Sequence, residues 1–330
     1  MRTLTRQLIA TASTLLCAAL GFAQSSTATV NVDNAVQVGG AANAAINKQD
    51  FTVGNASGGG KATVKAGNVV QIGGAANAAA NQQKLGIGNA DGGKSQVSVD
   101  NAVQVGGAAM GAVNQQTLNV GNATGNGSQS NVRAGNAVQI GGAGYGAANR
   151  QSLEVGNASN GGKSRVSVDN AVQIGGAGVG AINQQKLAIG NANGGGSQSN
   201  AKVGTAVQIG GAGVGAANRQ TMEIGNASGG GKSNASVGTA VQIGGAGVGA
   251  ANNQTIKVGN AESGGKSNAA VAGVVQVGGA GVLAGNKQSV EIGNAANGQT
   301  SNIKTGTIVQ AGGGAFGVSN NQSVKIGNAQ

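Results

Sequence analysis

The sequence predicts an all-β fold: a β-solenoid of about nine stacked two-strand rungs, built from 34-residue repeats in parallel, in-register order. Three observations lead to this prediction. A segment of the type Ala-Val-Gln-Val-Gly-Gly recurs nine times, at intervals of 33 to 35 residues, as in solenoid proteins. Apolar and polar residues alternate with a period of two inside each repeat, which is typical of strands. Glycine pairs and Gly-Asn steps close each run and permit the positive φ angles of tight turns.

The composition excludes several other classes of protein. Glycine accounts for 66 of the 330 residues, but the chain has no proline, so it cannot form a collagen helix. Aromatic residues make up 1% of the chain, which leaves few large side chains for a conventional globular core. Histidine is absent, so the usual general base and the commonest metal ligand are missing. We therefore expect no enzyme activity, no catalytic residue, no cofactor and no metal.

Residues 1–23 are expected to form a signal peptide. Two arginines precede an apolar segment over residues 8–20, and small residues up to Ala23 offer a cleavage site. Cys17 lies inside this segment, so the mature chain would contain no cysteine. We expect a secreted protein, extracellular or at the cell surface, in which residues 24–330 form a nine-repeat solenoid array.

The first strand of each repeat contains the glutamine of the recurring segment. In the fifth repeat Val168, Asn170, Val172 and Ile174 have the same parity, so we expect all of them to point inward. The glutamine has the opposite parity and should face outward, where it would be solvated or would help rods to pack side by side. The nine first-strand glutamines are Gln37, Gln71, Gln104, Gln139, Gln173, Gln208, Gln242, Gln276 and Gln310.

The second strand should point an amide ladder into the core. In the sixth repeat we expect Asn218, Gln220, Met222 and Ile224 to face inward. Amides in register can bond to the same amide in the next rung. Outward amides that bind a sugar are the alternative, but sugar sites usually add aromatic platforms. The predicted structural ladder comprises Gln49, Gln83, Gln116, Gln151, Gln185, Gln220, Gln254, Gln288 and Gln322, with the Gly-Asn asparagines Asn55, Asn89, Asn122, Asn157, Asn191, Asn226, Asn260, Asn294 and Asn328.

Charged residues also fall into columns if the repeats stack in sequence order. One outward column of the second strand alternates in sign over the last four repeats, through Glu223, Lys257, Glu291 and Lys325. Opposite charges in vertical contact favour the stacked register. The formal net charge of +11 suggests anionic polysaccharide or extracellular DNA as partners. The basic residues are scattered singly along the chain, which favours a role in solubility instead.

The segments Val-Gln-Ile-Gly-Gly and Ile-Gly-Asn-Ala, found in variant form in all nine repeats, resemble those of curlin, the subunit of curli-type bacterial functional amyloid. The resemblance implies extracellular amyloid-like fibres that support a biofilm matrix and adhesion. It also implies a minor nucleator subunit and an outer-membrane secretion pore as partners.

The repeat pattern itself favours self-assembly. The first and last repeats have the same glutamines and asparagines as the others, whereas monomeric solenoids usually end in atypical capping repeats. We therefore expect the protein to join head to tail with further copies of itself, and we expect no small-molecule substrate. Two alternatives remain open: a solenoid adhesin stalk, and a solenoid that binds a surface, polysaccharide or ice without polymerising.

Overall fold

The computed structural model describes residues 23–24, 27–39, 46–73, 76–77, 80–107, 109–110, 113–146, 148–180, 182–283, 285–295, 300–314, 316–317 and 319–327. The expected signal peptide, apart from Ala23, and Asn328 lie outside these residues. The described part of the chain is all-β and parallel. It contains no helix, and so none that could cross a membrane.

Each coil of the solenoid begins with a long strand of 12 residues, and the nine long strands form one sheet. Alternating valine and alanine positions favour this extended conformation because they pack on both faces of a pleated surface. The long strands are Thr27–Val38, Lys61–Ile72, Lys94–Val105, Gln129–Ile140, Lys163–Ile174, Gln198–Ile209, Lys232–Ile243, Lys266–Val277 and Thr300–Ala311.

A short strand of eight residues follows in each coil, and the nine short strands form a second sheet. They are Ile46–Val53, Ala80–Ile87, Val113–Val120, Ala148–Val155, Ile182–Ile189, Ala217–Ile224, Ala251–Val258, Gly285–Ile292 and Ser319–Ile326.

Two-residue strands line the connections between the sheets. Those after the short strands, together with Ala23–Gln24, are Ala56–Ser57, Ala90–Asp91, Ala123–Thr124, Ala158–Ser159, Ala192–Asn193 and Ala227–Ser228. Those after the long strands are Ala76–Asn77, Ala109–Met110, Gly144–Tyr145 and Gly178–Val179.

Every coil pairs in register with the next coil, which confirms the predicted parallel β-solenoid. Gln139 lies opposite Gln173 in the long-strand sheet, and Gln185 lies opposite Gln220 in the short-strand sheet. Nine strands in each sheet correspond to about eight turns between the first strand and the last. At about 4.8 Å per coil, the stack is roughly 40 Å long.

The core is a thin apolar layer between the two sheets. The long strands contribute mainly valine and alanine, such as Val168 and Ala171, while the short strands contribute larger residues such as Leu187 and Ile189. The inward positions predicted for the short strand are confirmed, since Asn218, Gln220, Met222 and Ile224 are all buried. The core therefore continues without interruption through the middle of the stack.

The inward parity of each long strand shifts by one residue near its middle. In the fifth coil Val168 is buried, but the next buried residue is Ala171, so two consecutive residues face outward between them. The first of these two residues, Asp169 in the fifth coil, is replaced by glycine in five other coils. A Cβ on the equivalent Gly135 would meet the carbonyl oxygen of Asp100 in the preceding coil. Glycine inside a strand often marks such a bend or close backbone approach.

The bend overturns two sequence predictions. The expectation that Asn170, Val172 and Ile174 point inward is wrong, because these side chains lie half-buried on the outer face beyond the bend. The expectation that the first-strand glutamines face outward is also wrong. Fully buried members of this set are Gln71, Gln104, Gln139, Gln173, Gln208, Gln242 and Gln276.

The Gly-Asn steps form the turns that leave the short strands. Gly121 has a φ of 65°, a left-handed backbone conformation that residues other than glycine adopt only with strain. A Cβ at Gly121 would also overlap the Val132 side chain, so this position has room only for glycine.

Candidate functional site: amide ladders and the open ends of the stack

The short-strand glutamines form a continuous ladder inside the solenoid. The side-chain Nε2 of each glutamine donates to Oε1 of its counterpart in the preceding coil, with distances of 2.8 to 3.2 Å. The ladder runs from Gln49 to Gln322. All its members are buried except Gln322, which is exposed in the last coil.

The long-strand glutamines form a second ladder parallel to the first. Their Nε2 atoms donate to Oε1 of the preceding coil at 2.7 to 2.9 Å, from Gln37 to Gln310. The other hydrogen of each Nε2 reaches a carbonyl of the short strand in the same coil, as from Gln173 to Lys186 O at 2.8 Å. These glutamines therefore join both sheets as well as neighbouring coils.

The Gly-Asn asparagines connect each turn to the turn of the next coil. Oδ1 of Asn157 accepts the backbone N–H of Asn191 at 2.9 Å, and its Nδ2 donates to Ala188 O at 3.2 Å. The same acceptor bond links consecutive members from Asn55 to Asn294. These residues brace the turns through the backbone, in contrast to the side-chain ladders of glutamine.

A further amide ladder runs in the opposite direction. From Asn114 to Asn320, the short-strand asparagine of each coil donates its Nδ2 to Oδ1 of the following coil at 2.9 Å. The glutamine and asparagine ladders thus point their donors toward opposite ends of the stack.

In the first coil, the short-strand glutamine ladder ends at a side-chain N–H donor that has no acceptor in the described part of the chain. Gln49 is 6% exposed, and its Nε2 has no hydrogen-bond partner among the described residues. A buried polar group without a partner is rare and costs about 1–3 kcal/mol. The partner that every other member of this ladder uses is a glutamine Oε1 one coil further toward the N-terminal end.

The last coil exposes side chains that are buried in the interior coils. Val324 and Ile326 are 44% and 48% exposed, while their counterparts Val290 and Ile292 in the preceding coil are fully buried. In the described sheets, Ser319–Ile326 and Ile46–Val53 lie at opposite edges, each bonded to one neighbouring strand. The edge of the last coil thus exposes inward-type side chains, whereas Phe51 and Val53 in the first coil are 3% and 1% exposed.

The charged column of the short strands stacks as the sequence predicts. Glu223, Lys257, Glu291 and Lys325 are vertical neighbours in consecutive coils. Lys257 Nζ lies 3.7 Å from Glu291 Oε2, and Lys186 Nζ lies 4.0 Å from Glu223 Oε2. These partly exposed pairs each contribute at most about 1 kcal/mol, so they favour the register more than they stabilise the fold.

The described residues contain no group of three or more histidine, cysteine, aspartate or glutamate side chains placed to hold a metal ion. Comparison of the chain with protein-family models, curated proteins and solved structures finds no match.

Proposed function

We propose that this protein is a secreted structural protein that self-assembles head to tail into extracellular, amyloid-like fibres, which support a biofilm matrix and adhesion. The observation that carries the proposal is the unused Nε2 of Gln49 at one end and the exposed Gln322 at the other. A second copy would supply Gln322 Oε1 to Gln49 Nε2 and extend the glutamine ladder across the joint.

The two end coils also match in side-chain pattern. The first and last short strands keep the register of the interior coils, so each edge is a template for the other. Docking would cover Val324 and Ile326 with the inward residues of the next copy. Because this contact joins two different surfaces without closing, it produces filaments and not rings.

Export is supported by the N-terminal sequence. The apolar segment that ends near Ala23 immediately precedes the first coil, as a cleaved leader would. A solenoid outside the cell that lacks cysteine in its array needs another source of stability, and the in-register ladders supply it along the whole stack.

The proposal is tested by blocking one end of the stack. In the double variant Val324→Lys and Ile326→Lys, two charges lie on the exposed edge of the last coil, where the isolated chain tolerates them because both sites contact solvent. At the fibre joint these charges would be buried without partners, which is strongly unfavourable. We expect thioflavin fluorescence and electron microscopy to show loss of elongation, while circular dichroism of the fresh protein stays unchanged.

The matched control places the same charges on the outer faces of the same coil. Thr307→Lys with Ser323→Lys changes the net charge equally but leaves the inward side of the last coil intact. We expect this control to elongate like the unmodified protein at moderate ionic strength. A wild-type protein that remains monomeric for days at high concentration would contradict the proposal and favour an adhesin stalk or a surface-binding solenoid.

A further inference from the structure

The solenoid collects half of the chain's basic residues on one face. This face, the basic face, consists of the outward side chains in the first half of the long strands, before the bend. It contains ten of the 20 lysines and arginines and no acidic residue. Its basic residues, all exposed, are Lys61, Lys65, Lys94, Arg133, Lys163, Arg165, Lys202, Lys232, Lys266 and Lys304.

This concentration of charge is not visible in the linear sequence, because the basic residues of neighbouring coils are about 30 residues or more apart. The first long strand contributes no basic residue, and each of the other eight contributes only one or two, a whole coil away from those of the next strand. In-register stacking brings them to the same face, as in the pairing of Lys61 with Lys94 and of Arg133 with Ser167. The ion pairs Lys257–Glu291 and Lys186–Glu223 both lie on the short-strand sheet. The carboxylates nearest to the basic face on the long strands are those of Asp33, Asp100 and Asp169, which are exposed at the bend.

A shallow groove of about 1180 Å³ runs along the basic face, across the coils from Thr63 to Lys304. One wall is rich in amides, and Asn200, Asn234, Asn268 and Asn302 form an exposed ladder there, with bonds of 2.7 to 3.0 Å. The groove follows the stacking axis and crosses eight consecutive coils.

The other wall of the groove alternates cations with small side chains. Lys65, Arg133, Lys202 and Lys304 are separated along this wall by Ser98, Ser167, Ser236 and Ala270. Amides, hydroxyls and regularly spaced cations are the groups that bind sugar hydroxyls and carboxylates. A groove that runs along the axis over eight coils fits a linear polymer better than a compact ligand.

We propose that the basic face binds a linear acidic polysaccharide, a chain of sugars with carboxylate groups, which lies in the groove along the stacking axis. The cations pair with the carboxylates, and the asparagine ladder and serines bond to sugar hydroxyls. The groove is complete within one chain, so this proposal does not depend on fibre formation.

The charge spacing favours a polysaccharide over a nucleic acid. The face offers ten cations over nine coils, or about one per 4.8 Å, whereas duplex DNA has one charge per about 1.7 Å of axis. None of the groove residues is aromatic, so single-stranded bases would find no stacking platform. A polymer whose charges are separated by whole sugar rings matches the sparse array more closely.

The test compares two variants with equal changes in charge. The groove variant combines Lys65→Gln, Arg133→Gln, Lys202→Gln and Lys304→Gln. The control variant combines Lys84→Gln, Arg150→Gln, Arg219→Gln and Lys287→Gln, all exposed residues on the outer face of the short strands. Binding of fluorescent polygalacturonate, of neutral dextran and of duplex DNA is measured at low and moderate salt. Circular dichroism establishes that both variants keep the fold.

For polygalacturonate we expect the groove variant to raise Kd about tenfold or more, while the control raises it much less. Wild-type binding should weaken with salt, and dextran should bind far more weakly. Equal losses in the two variants would overturn the proposal, because they would show an effect of net charge alone. No binding to polygalacturonate, or tighter binding to DNA at equal charge concentration, would also overturn it.

Discussion

Single glutamines stabilise this protein chiefly through bonds to their own counterparts in the neighbouring coils. Gln173 donates to Gln139 and to Lys186 O, and it accepts from Gln208. All these bonds are in a fully buried environment, where an unsatisfied amide is costly. The ladders therefore fix the register of each coil as well as contributing to stability.

Gln173→Leu should destabilise the protein by about 1–3 kcal/mol, because it leaves Gln208 and Gln139 with unmet bonds while the side-chain size is nearly unchanged. The measurement is the shift of the urea unfolding midpoint of freshly dissolved protein. The control is Gln198→Leu, an exposed glutamine at the start of the next long strand, which should shift stability by about 0.5 kcal/mol or less. Equal shifts for the two variants would mean that residue 173 contacts solvent.

The sequence correctly predicts that the short-strand glutamines point inward, but it wrongly predicts that the long-strand glutamines face outward. Strict alternation over Asn218 to Ile224 predicts an inward Gln220, and this strand is straight. The same alternation fails for Gln173 because the inward parity of the long strand shifts between Val168 and Ala171. The glycines at positions such as Gly67 and Gly135 were the available signal, since glycine inside a strand is a mark of a bend.

At the scale of elements, parallel in-register pairing converts sequence repeats into columns on the surface. Each outward position of a strand lies next to its own equivalents above and below, as Lys257 lies between Glu223 and Glu291. Column composition therefore decides whether neighbouring strands attract or repel. The sequence allows this alternating column to be predicted, because only the period is needed to find it.

Lys257→Glu should weaken the stack, since it removes the pair with Glu291 and places three carboxylates in consecutive coils. The loss should be larger at low than at high ionic strength, because salt screens partly exposed charges. Thermal unfolding at two salt concentrations measures it.

Lys202→Glu makes the same change in charge between Ser167 and Ser236, and serves as the control. Its effect should be smaller and should depend less on salt. A loss from Lys257→Glu that is indifferent to ionic strength would contradict the stacking order.

The basic face could not be found from linear charge patterning. Consecutive cations within a column are 33 to 102 residues apart, so no local window contains a cluster. Only the knowledge of which half of the long strand faces outward, together with the register, brings them together. The bend that hides the long-strand glutamines also separates this face from the half-buried valines beyond it.

For the whole molecule, the proposed assembly into fibres depends on the two ends of the stack. Interior coils bond their ladder glutamines on both sides, whereas Gln49 Nε2 lacks a partner among the described residues and Val324 and Ile326 are exposed. Joining two copies end to end would satisfy both ends at once. A regular stack of this kind gains stability from every interface added, because each coil contacts only its neighbours.

Head-to-tail assembly in register would bring two specific residues together across the joint. Asn321 in the last coil would lie opposite Lys48 in the first coil of the next copy, because both belong to the same outward column. At about 4.8 Å the two Cα atoms would be within disulfide range. The measurement uses the protein with Lys48→Cys and Asn321→Cys in a Cys17→Ser background, oxidised under fibre-forming conditions.

Lys48→Cys with Ser323→Cys is the matched control, because moving two residues along the strand adds about 6.6 Å and takes the pair beyond bonding distance. The account predicts a ladder of disulfide-linked oligomers on non-reducing gels for the first pair and monomers for the control. Equal cross-linking of the two pairs, or fibres that form without cross-linking the first pair, would contradict in-register head-to-tail assembly.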